Sequence, residues 1–236
     1  MKDYNEFVAK LQEIKDMGWI KTHRRGNTGI GKTLEDLLGI TENNVPGPNA
    51  MGWLELKSTR QENTNMITLF TKAPKPNRAN TRLRNNFGYV TEESQDQQIL
   101  HSTVNALSFN TLRRGKGFKI EIDQDRLNLI DPNDNISGYW DKTILQTTFE
   151  SKCPNLMFVK ARSRSFETEE EFFYNEAWAL ARFGFDNFVH LVESGKILVD
   201  IRLGIYSDGR PHDHGTAFRV LELDLDMCYG KRVRVL

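Results

Sequence analysis

The chain has 236 residues, 38% of them hydrophobic and 27% charged, with 32 basic residues balanced by 32 acidic ones. That profile fits a soluble globular protein and excludes a disordered or fibrous one, and a net charge of zero means that any nucleic-acid role must rest on where the charges sit. Two cysteines, Cys153 and Cys228, are too few for a disulfide framework, and no run approaches the ~18 apolar residues of a membrane span, so a cytoplasmic protein with reduced thiols is expected.

Asp3 and Glu6 form a capping pair for an amphipathic helix on which Phe7, Leu11 and Ile14 recur, ending at Gly18. KTHRRGNTGIGKT follows, basic and rich in glycine. It leads into a short helix marked by Leu34, Leu37 and Leu38, which carries Glu35 and Asp36 and is closed by Gly39. Gly26 to Thr33 matches the phosphate-loop pattern G-x-x-x-x-G-K-[ST], with Lys32 as its lysine, and Ile197 to Asp200 imitates the accompanying carboxylate strand. A phosphate loop must leave a buried strand, however, whereas Lys21, Thr22, His23, Arg24 and Arg25 precede this one. Nucleotide hydrolysis therefore ranks below two other readings: a loop before a helix, or amides and basic side chains that hold a nucleic-acid phosphate.

TENNVPGPNAMGWLELKS, from Thr41 to Ser58, pairs a proline-rich turn with a short strand. Strand alternation places Trp53, Glu55 and Lys57 on one face, with Leu54 and Leu56 turned into a core. A carboxylate and an ammonium fixed side by side suit a site that binds a divalent cation and stabilises a phosphate; an exposed ion pair is the competing reading. Such chemistry prefers another acid just upstream, where the sequence reads Pro48-Asn49. The Asn49 oxygen can ligate a metal but brings no charge, and Glu35 could restore the missing anion.

MITLFTK is a strand with Ile67 and Leu69 inward, and APKPNRANTRLRNNFGY follows it. Lys72, Lys75, Arg78, Arg82 and Arg84 meet few acids there, which suggests an arm tracking phosphates or a solvated loop. Lys116 to Ile122 and Arg126 to Ile130 form a hairpin around Asp123-Gln124-Asp125. Trp140 to Glu150 reads as a helix, Leu156 to Ala161 as a buried strand, Phe172 to Ala181 as either, and Phe188 to Glu193 as a short helix. The last third is a long hairpin whose tip carries Arg210, His212, Asp213 and His214. Two histidines one residue apart, with only Cys228 as a further candidate, make a poor zinc site. Their rings suit guanine N7 and O6 better, unless the tip is simply polar.

Together GNTGIGKTLEDLLG, the PN before ELKS, TLFTK with ANTRLRN, and DIR with HDHGTAFR resemble, in order, the MvaI and BcnI group of type II restriction endonucleases, a MutH-like branch of the PD-(D/E)XK nucleases. The resemblance runs from Gly18 to Arg219. It implies an α/β (α+β) fold with a central mixed sheet flanked by helices and a β-rich DNA-recognition lobe. A single nuclease domain over 1–236 is expected, with a catalytic lobe at about 1–110 and a recognition lobe at about 111–236. It also implies a monomer that uses Mg²⁺ to cut double-stranded DNA at a short, C·G-rich pseudopalindromic site of CCSGG or CCWGG type, nicking one strand and then the other. Glu55 and Lys57 fall on the family's E-x-K, Glu35 on a helix carboxylate and Asn49 on or near the first acid. Glu55, Asn49 and the Leu56 carbonyl would hold the metal. Arg210, His212, Asp213 and His214 would read bases, and a cognate DNA methyltransferase would act in the same prokaryotic cell. The alternatives are a sequence-specific DNA-binding protein impaired at Asn49 and, ranked lower, a nucleotide-binding protein.

Overall fold

The computed structural model describes residues 3–40, 48–62, 66–94, 98–113, 115–153, 155–205, 211–213 and 216–236, with backbone alone at 93, 205 and 211–213. The chain forms two compact units, one built from Met1–Asn65, Ser151–Phe183 and Leu225–Leu236, the other from Met66–Glu150 and Gly184–Asp224. Neither is contiguous in sequence.

In the first unit, α1 (Tyr4–Asp16) follows the apolar stripe, and Phe7, Leu11 and Ile14 are fully buried. Each contributes about 1.5–3 kcal/mol relative to an exposed side chain. Asp3 occupies the N-cap position without making a side-chain cap bond. The short β1 (Ile20–Lys21) leads to α2 (Gly29–Leu37), and β2 (Glu55–Arg60) comes after it. The long strands β10 (Asn155–Phe166) and β11 (Glu169–Ala181) form an antiparallel hairpin. This settles the Phe172–Ala181 ambiguity in favour of a strand. The sheet order is β1-β11-β10-β2, with β15 (Lys231–Arg234) also pairing with β11. Since β2 runs parallel to β10, aligning Glu55 with Leu156 and Lys57 with Phe158, the sheet is mixed and β2 is its last strand. Ile30, Leu34, Leu54, Leu56, Met157 and Tyr174 join the α1 stripe in the core.

The second unit is rich in antiparallel strands. Its larger sheet places β12 (Ile197–Ile205) between β13 (Pro211–Asp213) and β14 (Ala217–Leu221), with β3 (Met66–Thr71) beyond β14 and β4 (Leu100–Val104) pairing with β12. The expected long hairpin is present: Asp200 aligns with Ala217 and Leu203 with Asp213. A two-stranded piece, β5 (Thr111–Leu112) with β6 (Gly115–Lys116), precedes a meander of β7 (Lys119–Ile122), β8 (Arg126–Ile130) and β9 (Ile136–Asp141). Phe70, Phe149, Phe188 and Phe218 pack ring on ring, with centroids 4.9–6.3 Å apart.

Three expectations are corrected. Trp140 lies on β9, and the helix starts only at α4 (Lys142–Lys152). Its indole stands edge-on to Phe218 and donates from Nε1 to the Lys72 carbonyl at 2.9 Å, so tertiary packing fixes it. Arg82 and Arg84 lie on a helix, α3 (Ala79–Phe87), rather than in a loop, because Ala79 and Leu83 bury one face; Arg78 is its N-cap. Trp53 does not share the strand face of Glu55: Met51 and Gly52 have φ of 51° and 74°, forming a turn that leaves Trp53 exposed before β2 begins. The remaining helices are α5 (Phe185–Glu193) and the short α6 (Leu225–Cys228). None of the described helices is long and apolar enough to cross a membrane.

Candidate active site

In the first unit a cleft of about 330 Å³ opens between α2 and the edge strand β2. Helical spacing explains one wall. Ile30 and Leu34 turn into the core, while Gly31, Lys32 and Glu35 share the opposite face and line the cleft. Strand alternation explains the other. Leu56 points inward and Lys57 outward, with Glu55 beside it.

Glu55 and Lys57 meet as expected. Lys57 Nζ lies 2.8 Å from Glu55 Oε1, and the carboxylate is largely withdrawn from solvent, its side chain 9% exposed against 29% for the lysine. Glu55 Oε2 also accepts the Asn49 backbone N–H at 3.2 Å. A carboxylate so placed keeps its ammonium partner at a fixed point beside the cleft.

Asn49 sits at the centre of the site. Its Oδ1 accepts the Leu56 N–H at 2.6 Å, and its Nδ2 donates to the Leu56 carbonyl and to Glu35 Oε1, both at 3.3 Å. Both Leu56 peptide groups therefore leave the edge of β2 that faces away from β10, and the Asn49 amide pairs with them as a neighbouring strand would. Glu35, Glu55, Asn49, Leu56 and Lys57 thus converge from α2, β2 and the turn before β2.

The phosphate-loop pattern has another use. β1 is only two residues long and α2 begins at Gly29, inside the motif. Lys32 Nζ pairs with Asp36 Oδ1 at 2.8 Å, and His23 Nδ1 lies 3.0 Å from Asp36 Oδ2. The Lys32 ammonium, followed by His23, holds the Asp36 carboxyl below the usual carboxylate range. A methyl on Gly29 would fall on the Arg24 carbonyl, so this glycine serves the close approach of turn to helix. The imitating ILVD strand is part of β12, in the other unit.

Arg60 was not anticipated. Its guanidinium grips Glu170 through Nε at 2.6 Å and Nη2 at 2.7 Å, and also donates to the Gly26 and Asn27 carbonyls at 3.4 and 3.3 Å. The end of β2 is thereby tied to β11 and to the glycine-rich turn. Glu170 lies 110 residues from Arg60, so no local pattern announces the pair. Ser58 Oγ, which also lines the cleft, is buried without a hydrogen-bond partner among the described residues.

The other expected DNA contacts lie in the second unit. Lys72 follows β3, Arg78 precedes α3, and Arg82 and Arg84 are on it; Arg82 donates to the Asn77 carbonyl and Arg84 to Asn85 Oδ1. His212 and Asp213 lie on β13, whereas Arg210 and His214 fall outside the described residues.

The oxygens of Glu35, Glu55 and Leu56 are the donor type preferred by a hard divalent cation such as Mg²⁺. Two carboxylates and a carbonyl fit such an ion with water completing its shell. Among the described residues no group of three His, Cys, Asp or Glu gathers as a metal cage.

The model of the MvaI/BcnI restriction endonuclease family matches residues 8–229. The chain belongs to this family. It is a type II site-specific deoxyribonuclease with a mixed α/β fold of PD-(D/E)XK type. A solved restriction endonuclease MvaI–cognate DNA substrate complex is 35% identical over 100% of both chains, with a TM-score of 0.88. Restriction endonuclease MvaI in the absence of DNA is 34% identical over 100% of this chain and 99% of that one, with a TM-score of 0.59. No curated protein sequence matches this member of the MvaI/BcnI family.

Proposed function

We propose that the cleft between α2 and β2 hydrolyses phosphodiesters of double-stranded DNA with Mg²⁺, at a short C·G-rich pseudopalindromic site of CCSGG or CCWGG type. The observation that carries this reading is the Glu55–Lys57 pair at 2.8 Å on an edge strand, faced by Glu35 across the cleft. Glu35, Glu55 and the Leu56 carbonyl would hold the ion, and Asn49 lies between them. When bound, Mg²⁺ supplies charge stabilisation at the scissile phosphate and a more acidic water.

Lys57 orients the attacking water and faces the charge that develops on phosphorus, its place set by Glu55. In-line attack leaves a 5′-phosphate and a 3′-hydroxyl. Lys72, Arg78, Arg82 and Arg84 contact backbone phosphates, which position the duplex without reading it. Arg210, His212, Asp213 and His214 read base edges. One active site acting as a monomer cuts by sequential nicking. The setting is the cytoplasm of a prokaryote, where a cognate methyltransferase protects the host DNA.

Incubation of plasmid with the protein and Mg²⁺, followed by end sequencing, tests this. Discrete C·G-rich sites with 5′-phosphate ends are expected, with nicked circles preceding linear DNA. Random cutting would remove the specificity claim. Sequence-specific retention in Ca²⁺ with no cleavage in any divalent metal would replace it with a binding protein silenced at Asn49.

A further inference from the structure

The Asn49 amide can face the oxygens of the site in two ways, and its hydrogen bonds choose between them. The Leu56 N–H, 2.6 Å from Oδ1, requires an acceptor, which turns the NH₂ toward Glu35 Oε1 and the Leu56 carbonyl. These are two of the three groups that would hold a divalent ion. The NH₂, carrying two donors and partial positive charge, satisfies both. We propose that the Asn49 amide is a built-in stand-in for the cation, so that a divalent ion must displace it rather than be ligated by it.

Turning the amide over would aim Oδ1 at the cation position, but it would set the NH₂ against the Leu56 N–H, donor against donor, leaving that partly buried N–H unpaired. An aspartate faces no such choice. One oxygen accepts the Leu56 N–H while the other faces Glu35 and the Leu56 carbonyl, which is repulsive until a cation arrives. Asparagine therefore makes the metal-free site self-sufficient and weakens ion uptake, while aspartate would make the site depend on the ion. This rests on the proposed nuclease centre, yet it concerns ion uptake alone and does not require cutting.

The test is a titration of the DNA-free protein with Mn²⁺, following the free ion by electron paramagnetic resonance, with Glu55→Ala locating the signal at this cleft. Asn49→Asp should bind Mn²⁺ at least tenfold more tightly than wild type, unfold at a lower temperature without metal and regain that loss with it. Asn49→Ala, and Asn49→Ser should the alanine variant fold poorly, should bind Mn²⁺ no more weakly than wild type, because a competitor has been removed. Weaker binding by either would show that Asn49 is a ligand and overturn the proposal. So would Asn49→Asp binding no more tightly. Plasmid cleavage run in parallel separates the two ideas: if no variant cuts, the nuclease reading fails while the titration still decides the stand-in.

Discussion

Replacing Arg60 with alanine should loosen the site without unfolding the protein. The two short bonds to Glu170, 2.6 and 2.7 Å, are charge-assisted, a class worth about 1.5–3 kcal/mol. With the Glu170 side chain 30% exposed, solvent screening reduces this to about 1–2 kcal/mol. A chain of this size should lose roughly 2–8 °C of melting temperature and remain folded at 25 °C. The cost to catalysis is larger for a geometric reason. Arg60 also holds the Gly26 and Asn27 carbonyls, and that turn launches the helix carrying Glu35. A displacement of about 1 Å in a catalytic group costs on the order of 10²-fold in rate. Cleavage should therefore fall at least tenfold, by more than the stability loss explains, and Arg60→Lys should recover part of the melting temperature but little of the rate, since an ammonium cannot grip both Glu170 oxygens and the turn together. Thermal unfolding and initial cleavage rates measure both effects. If Arg60→Ala cuts at the wild-type rate, the clamp does not position the site.

Gly29→Ala and Gly31→Ala should separate the helix-entry turn from a true phosphate loop. A Gly29 methyl collides with the Arg24 carbonyl and sits 2.6 Å from Thr22 Oγ1, whereas a Gly31 methyl has its nearest neighbour, Ser58 Oγ, 3.7 Å away. The first should cost about 1–3 kcal/mol in urea unfolding, and the second should be neutral or stabilising by up to about 1 kcal/mol; the reverse order would refute the packing described. Tyr174→Phe should destabilise by about 0.5–1.5 kcal/mol, because the buried hydroxyl donates to the Ile30 carbonyl at 2.7 Å and that bond is lost; an unchanged urea midpoint would contradict it. Burial raises the Cys153 thiol far above its ordinary value, and Cys228 is fully buried. Both should resist a disulfide reagent at neutral pH until denaturant is added, and fast labelling of the native protein would be the contrary result.

How much of this was legible follows from how local each signal is. The α1 stripe and the alternation of Glu55 with Lys57 need only the helical and strand periods, and both appear where the residues place them. α3 was hidden because prolines precede it and asparagine and arginine dominate its sequence, so that only Ala79 and Leu83 supply a buried face. Trp140 belongs to a strand because of Phe218 and the Lys72 carbonyl, partners more than sixty residues away in the chain. The sequence placed Glu35, Asn49 and Glu55 as candidates by chemistry and family resemblance. That Asn49 turns its NH₂ toward Glu35 depends on the Leu56 N–H that points away from β10 and donates to Oδ1, which follows from strand order and not from spacing. Arg60 and Glu170 meet only because β2 and β11 flank β10.

The central claim is that Glu55 and Lys57 do the chemistry at a specific DNA site. It is tested most directly by cutting one plasmid of known sequence in Mg²⁺ with wild type, Glu55→Gln and Lys57→Met, alongside duplex retention in Ca²⁺. Wild type should give discrete fragments ending at C·G-rich sites. Both variants should retain specific duplex while losing about 10²-fold or more in rate. Fragmentation by either variant at the wild-type rate would place the chemistry elsewhere.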